Sequence, residues 1–257
     1  MKEFLESWMP PNYSAHGGEL DALNLYVHWL MLILFVGWGL VFAYMLMRFR
    51  ASKQKAASYH GTRSHVSKWA EIGVFAIECV LLFGISIPAW SRWTRRPEAG
   101  KNPLEVRVVG EQFAWNVHYP GPDHIFARTG TKFVTSSNPL GIDPSDPHAA
   151  DDVATLNQLH LQVNRDVIVR LTSKDVIHSF SLPYMRVKQD TIPGMEIPVH
   201  FKPLKVSGGP VPWEIACAQL CGLGHYRMKG QYHVQSKGDF DKWMAEQIPV
   251  VTSISGT

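Results

Sequence analysis

Two long apolar runs dominate the first third of the chain, and short alternating runs dominate the rest. Residues 25–47 read LYVHWLMLILFVGWGLVFAYMLM, with no formal charge. A helix of that length crosses a hydrocarbon core of about 30 Å. Residues 72–90 form a second apolar run that ends at Pro88. The pattern predicts a transmembrane helical hairpin over residues 25–90, with loop 48–71 between the spans. Residues 1–24 are polar, hold Pro10, Pro11, Gly17 and Gly18, and read as an extramembrane lead, ordered by a neighbouring subunit. They lack the compact basic region and apolar core of a secretory signal.

From residue 104 the period changes. Residues 104–109, 159–163, 167–171, 196–201 and 230–234 alternate along short runs, with turn residues between them. Alternation at period two with regular punctuation predicts an all-β sandwich or barrel over residues 104–238. His160, His200 and His233 are expected on the outer faces of its strands. Residues 120–152 are rich in Gly, Pro, Asp and Ser and predict consecutive turns, with His124 and His148 as surface groups. Residues 239–247 predict a short helix capped by Asp239, within a terminal segment 239–257.

Charge gives the hairpin a direction. Arg48, Arg50, Lys53, Lys55, Arg63 and Lys68 make residues 48–68, between the spans, basic and free of acid. Such a loop belongs on the cytoplasmic side, which puts the N-terminus and the β domain outside. Arg92, Arg95 and Arg96 oppose this assignment, but long domains translocate largely regardless of charge. Several of the nine tryptophans flank the spans, as interfacial residues do. Glu78 sits inside the second span, where an ionisable group is costly and is usually functional or paired. Glu71 sits at its cytoplasmic mouth. The net charge is only +3, with no block of one sign, which gives no sign of nucleic-acid binding.

The chemistry concentrates in residues 217–228. Cys217, Cys221, His225 and Met228 follow the spacing C-x₃-C-x₃-H-x₂-M. Thiolate, imidazole and thioether together suit copper in electron transfer. The cysteines are too far apart for a zinc-knuckle turn, and hard oxygen ligands for calcium or magnesium are missing. Two thiolates could bridge two copper ions, and His178 offers a second imidazole from a strand-like segment upstream. A Cys217–Cys221 disulfide is the plain alternative in an extracytoplasmic compartment. Cys79, within the second span, reads as packing, and no C-x-x-C-H haem-attachment motif follows.

These features resemble the cytochrome c oxidase subunit II family. Its copper loop reads C-x-[EQ]-x-C-G-x-x-H-x-x-M, and its second histidine lies in a D-V-x-H-S segment; residues 217–228 and 175–179 match both. The two spans, the aromatic segment 110–119 and residues 183–194 extend the resemblance. It implies a cupredoxin-like domain carrying a dinuclear copper (CuA) site bridged by Cys217 and Cys221. One copper would take His178 and Met228, and the other His225 and the backbone carbonyl of Gln219. It further implies an inner-membrane oxidase that pumps protons, with the copper domain on the periplasmic side. A c-type cytochrome would donate electrons, and haem in subunit I, among further membrane subunits, would receive them. This chain itself would do no oxygen chemistry.

Two departures from the family pattern stand out. Phe113 replaces the tryptophan that receives electrons, while Trp115 is kept either for electron input or for core packing. Gln219 replaces a glutamate whose carboxylate reaches magnesium, so no magnesium site is expected. By its distance from Pro88, Glu71 matches a glutamate at the entrance of a proton channel; a plain helix-end carboxylate is the alternative. Asp143, Asp146, Asp151 and Asp152 form either an acidic patch for a lysine-rich cytochrome or a solvated loop. Lys188 and Asp190 either contact the catalytic subunit or stabilise a turn. The rival readings are a copper-free structural subunit of a quinol oxidase, a nitrous oxide reductase and a copper carrier.

Overall fold

The computed structural model describes residues 3, 7–54, 56, 59, 64–94, 102–208 and 213–255. Lys55, Arg63, Arg95 and Arg96, which enter the charge argument, lie outside these residues. The chain divides into two compact units. Met1–Met9 and Glu19–Arg92 make the first, and Pro10–Gly18 and Trp93–Thr257 the second.

Two rods build the helical unit. Helix α1 spans Gly17–Arg48. The second rod runs through α2 (His65–Cys79), a π-helical stretch Val80–Ser86 and α3 (Ile87–Trp93). Both rods begin before their apolar runs. Hydropathy marks the part of a helix that suits lipid, whereas caps and dipole-compatible charges set its ends. Glu19 lies in the first turn of α1, and Ser64 caps α2 by accepting from the Val66 amide. The π stretch lies just ahead of Pro88, which has no N–H to give to the preceding turn. Both rods are long and apolar enough to span a membrane, and their side chains are almost wholly unburied, unlike those of a core helix. Arg92 and Glu19 pair at 2.9 Å across the start of one rod and the end of the other, so the rods run antiparallel.

The second unit is the expected all-β sandwich. Its strands are β1 (Leu104–Glu111), β2 (Ala114–Tyr119), β3 (Val153–Leu156), β4 (Gln158–Gln162) and β5 (Val167–Ser173). They continue as β6 (His178–Leu182), β7 (Val187–Thr191), β8 (Ile197–Phe201), β9 (Trp213–Cys217) and β10 (Lys229–Gln235). One sheet has the order β3-β2-β1-β5-β8 and the other β4-β10-β9-β6-β7. Alternate residues enter a shared core, among them Val106, Val108, Trp115, Leu171, Phe180, Leu182, Ile215 and Tyr232. Helices α4 (Lys237–Ala245) and α5 (Val250–Ser255) follow.

Four expectations need correction. Residues 10–18 dock on their own β unit and do not wait for a neighbouring subunit: Ser14 bridges Pro203, and Tyr13 stacks on Trp213 at 5.1 Å. These partners lie far away in sequence, so no local pattern announces them. His160 is buried rather than outward-facing, because α4 folds back and lays Trp243 on its ring at 3.9 Å. Ser236, not Asp239, caps α4, accepting from the Asp239 amide at 3.2 Å. Asp143, Asp146 and Asp152 are buried and Asp151 is half-buried, accepting from the Asp123 amide at 3.3 Å, so the four make neither an exposed docking patch nor a freely solvated loop. Asp143 and Asp146 pair with Arg128, while Asp152 bonds His118 at 2.6 Å and accepts from the Ala127 amide at 3.0 Å. A turn-rich segment has many unpaired backbone amides, and these carboxylates satisfy several of them.

Candidate metal centre

Three neighbouring strands of one sheet deliver the site. His178 opens β6, Cys217 closes β9, and Met228 immediately precedes β10. Strands β6 and β9 pair antiparallel, with Phe180 opposite Cys217. The backbone between β9 and β10 stays tied at its base, where Ala218 donates to Ser179 and Cys217 donates to the Met228 carbonyl. Residues 218–228 therefore form a loop held at both ends, with His225 in a short 3-10 turn.

Cys221 is the hub of the cluster. Its sulfur lies 3.8 Å from Cys217 Sγ, 3.6 Å from His225 Nδ1 and 3.7 Å from Met228 Sδ. Cys217 Sγ lies 3.3 Å from the carbonyl oxygen of Gln219. The ligand atoms of His178, Cys217 and Cys221 all fall within 4.8 Å of one another. The fold thus gathers all six donors named from the sequence. Both cysteines are free thiols, so the disulfide alternative is not realised here. Burial and the adjacent Cys217 push the Cys221 thiol up to about 11.

A soft metal fits this arrangement. Sulfurs 3.8 Å apart can share an ion at metal–thiolate lengths of about 2.3 Å. His178 is fully buried, and its Nδ1 has no hydrogen-bond partner among the described residues, a costly state for a ring nitrogen unless an ion takes it. Its Nε2 is held by Asp175 Oδ1 at 2.8 Å, the carboxylate–histidine arrangement that orients metal-binding imidazoles. The mixture of thiolate, imidazole, thioether and carbonyl suits copper better than a hard cation.

A second set of residues frames the donors. Asp175 Oδ2 accepts from the Gln112 amide at 2.7 Å, and Gln112 Nε2 donates to the Cys221 carbonyl at 2.7 Å. Phe113 lies against the loop so closely that a Cβ on Gly224 would stand 2.4 Å from its ring. Gly222 has φ +131°, a backbone region that side chains rarely enter. A Cβ on Gly110 would meet the His178 ring at 2.9 Å. The sequence reading missed Gln112, Asp175 and Gly110 as functional residues. All three carried a signal that was not read as a role: Asp175 opens the D-V-x-H-S segment, and Gly110 and Gln112 fall at matched positions of the aromatic segment.

The remaining candidates lie in varied settings. Trp115 is fully buried, edge-on to His178 and Phe180, which favours packing over contact with a soluble donor. Phe113 is half-buried and adjoins the loop. The Gln219 side chain is exposed. Glu71 is exposed on α2 and accepts from Ser67 Oγ at 3.2 Å. Lys188 and Asp190 lie on β7 rather than in a turn.

Known proteins resemble both parts of the chain. An alternative cytochrome c oxidase subunit 2 from Bradyrhizobium diazoefficiens is 28% identical over 241 residues, covering 93% of this chain and 84% of that protein. A cytochrome c oxidase subunit 2 from Thermostichus vulcanus is 34% identical over 155 residues, covering 60% of this chain but only 37% of that longer protein. The crystal structure of the periplasmic domain of subunit II of cytochrome oxidase from Bradyrhizobium japonicum is 27% identical, covers 58% of this chain and 94% of that one, and has a TM-score of 0.40. The family profile described as cytochrome c oxidase subunit II, periplasmic domain, matches residues 104–232. With half of its length matched, from the start of β1 into β10, the chain belongs to the cytochrome c oxidase subunit II family.

Proposed function

We propose that this chain is the electron-accepting subunit of a proton-pumping haem-copper terminal oxidase. Cys217 and Cys221 would hold two copper ions between them, with His178, His225, Met228 and the Gln219 carbonyl completing the set. Bound there, the dinuclear copper centre would take up and release one electron at a time. The observation that carries this reading is the gathering of four sulfur and nitrogen donors around Cys221, with the Gln219 carbonyl beside Cys217.

The protein's own residues limit movement. Asp175 fixes the His178 ring, the β6–β9 pairing fixes the distance between its strand and Cys217, and the β9–β10 base fixes Met228. A donor set that shifts little between redox states exchanges electrons with little reorganisation. The half-buried Phe113 is the proposed point of electron input from a c-type cytochrome. Haem in subunit I is the proposed acceptor. The spans would anchor the chain in the inner membrane, with the β unit on the periplasmic side. With Gln219 in place of a carboxylate, no magnesium site is proposed. A copper-free quinol oxidase subunit would share this architecture, but a gathered donor set would serve it no purpose.

Electron paramagnetic resonance of the full-length chain loaded with copper tests the proposal. The expected spectrum is that of one unpaired spin shared equally by two copper nuclei. A spectrum from a single nucleus, or no bound copper, overturns it.

A further inference from the structure

We propose that Gln112 is a positioning residue for the metal loop, clasping Cys221 to the same anchor that orients His178. Gln112 and Phe113 are the two residues at the tip of the β1–β2 hairpin, between the paired Glu111 and Ala114. This tip belongs to the sheet that carries none of the donors. Its side-chain amide donates to the Cys221 carbonyl at 2.7 Å. Its backbone amide donates at 2.7 Å to Asp175, whose other oxygen holds His178 Nε2 at 2.8 Å. One residue therefore links the two sequence-distant halves of the donor set.

The loop has reason to need this clasp. Gly222 and Gly224 flank the segment after Cys221, and glycine leaves a backbone many conformations to lose. Beyond its tied base, the loop makes its own short turns, His225 to Gly222 and Met228 to His225, which do not fix it to the sandwich. The Gln112 amide supplies that fixed point at the hub cysteine. Phe113 adds to it by filling the space over Gly222 and Gly224. The Gln112 side chain is itself exposed and makes no part of the hydrophobic core. Its role is therefore separable from folding.

This inference rests on the copper reading, and its test keeps the two apart. Gln112→Met and Gln112→Glu preserve side-chain length but remove the amide donor. Both are made in the full-length chain and loaded with copper beside the wild type. The measurements are copper release to a chelator, the reduction potential, the paramagnetic resonance spectrum and thermal melting. Both variants should melt like the wild type. They should release copper about fivefold to tenfold faster, the scale of one hydrogen bond. Their potential should shift, and their spectrum should show the spin shared unequally between the coppers. Wild-type release, potential and spectrum in both variants overturn the clasp, as does failure of both to fold. If the wild type itself binds a single copper, the dinuclear reading fails, and the ratio of release rates still decides the clasp.

Discussion

At the scale of single residues, the donors and their supports make different demands on the sequence. The donors need particular elements, sulfur and nitrogen, so their identity is legible in the chain. The supports need only a carboxylate, an amide or the lack of a Cβ at the right place, and that place is set by folding. Asp175→Ala should lower copper affinity about tenfold or more, the usual scale for losing a partner of a metal-bound imidazole. Chelator competition measures this, and melting of the metal-free protein should change little. Gly224→Ala should force the Phe113 ring aside and destabilise the metal-free chain by about 1 to 3 kcal/mol, as overpacking does. The double variant Gly224→Ala with Phe113→Ala should recover part of that loss, since the two sites are in contact. Additive losses in thermal melts would reject the steric account. Trp115 illustrates the limit of reading by type: an aromatic residue in a functional segment can serve the core.

At the scale of elements, alternation found the strands and hydropathy found the spans, but neither set the ends. Helix α4 begins where Ser236 accepts from the Asp239 amide, a cap that pattern counting placed three positions late, at Asp239. Ser236→Ala should cost about 1 kcal/mol, seen as a lower melting temperature. The same helix decides the fate of His160, which alternation alone put outside. On α2, Glu71 matches by position a glutamate at the entrance of a proton channel in the family, which makes it the residue to test there. Glu71→Gln in the assembled oxidase should slow proton uptake in reconstituted vesicles while the rate of copper reduction stays the same. Unchanged turnover and pumping would assign Glu71 to the helix end alone.

At the scale of the whole molecule, buried histidines tie stability to pH. Burial holds His118 below its ordinary range and lowers His160 to about 4. In the unfolded chain both titrate near 6.5. Between about pH 6.5 and 4 the unfolded chain binds more protons, so stability falls as pH drops through that window. Asp143 and Asp146, held below the usual carboxylate range chiefly by hydrogen bonds, add their loss only at lower pH. Exposed His148, held up by Asp123, acts in the opposite direction. Melting temperature should therefore decline from pH 7 to pH 4.5, and His160→Gln should flatten the decline. The spans, the all-β character and the cluster of candidate donors were readable because each has a local signature. The docking of residues 10–18, the burial of Asp143, Asp146 and Asp152 and the framing of the metal loop depend on contacts between distant segments, which no window of sequence contains.

The antiparallel register of β6 and β9 also carries a temporal consequence. Residues 217–228 emerge from the ribosome after His178, yet the two meet only once those strands are paired. A nascent or half-folded chain exposes the later segment with one imidazole, not two. Copper held by the whole set would therefore favour the paired strands over the open chain, because only the folded state presents both imidazoles together.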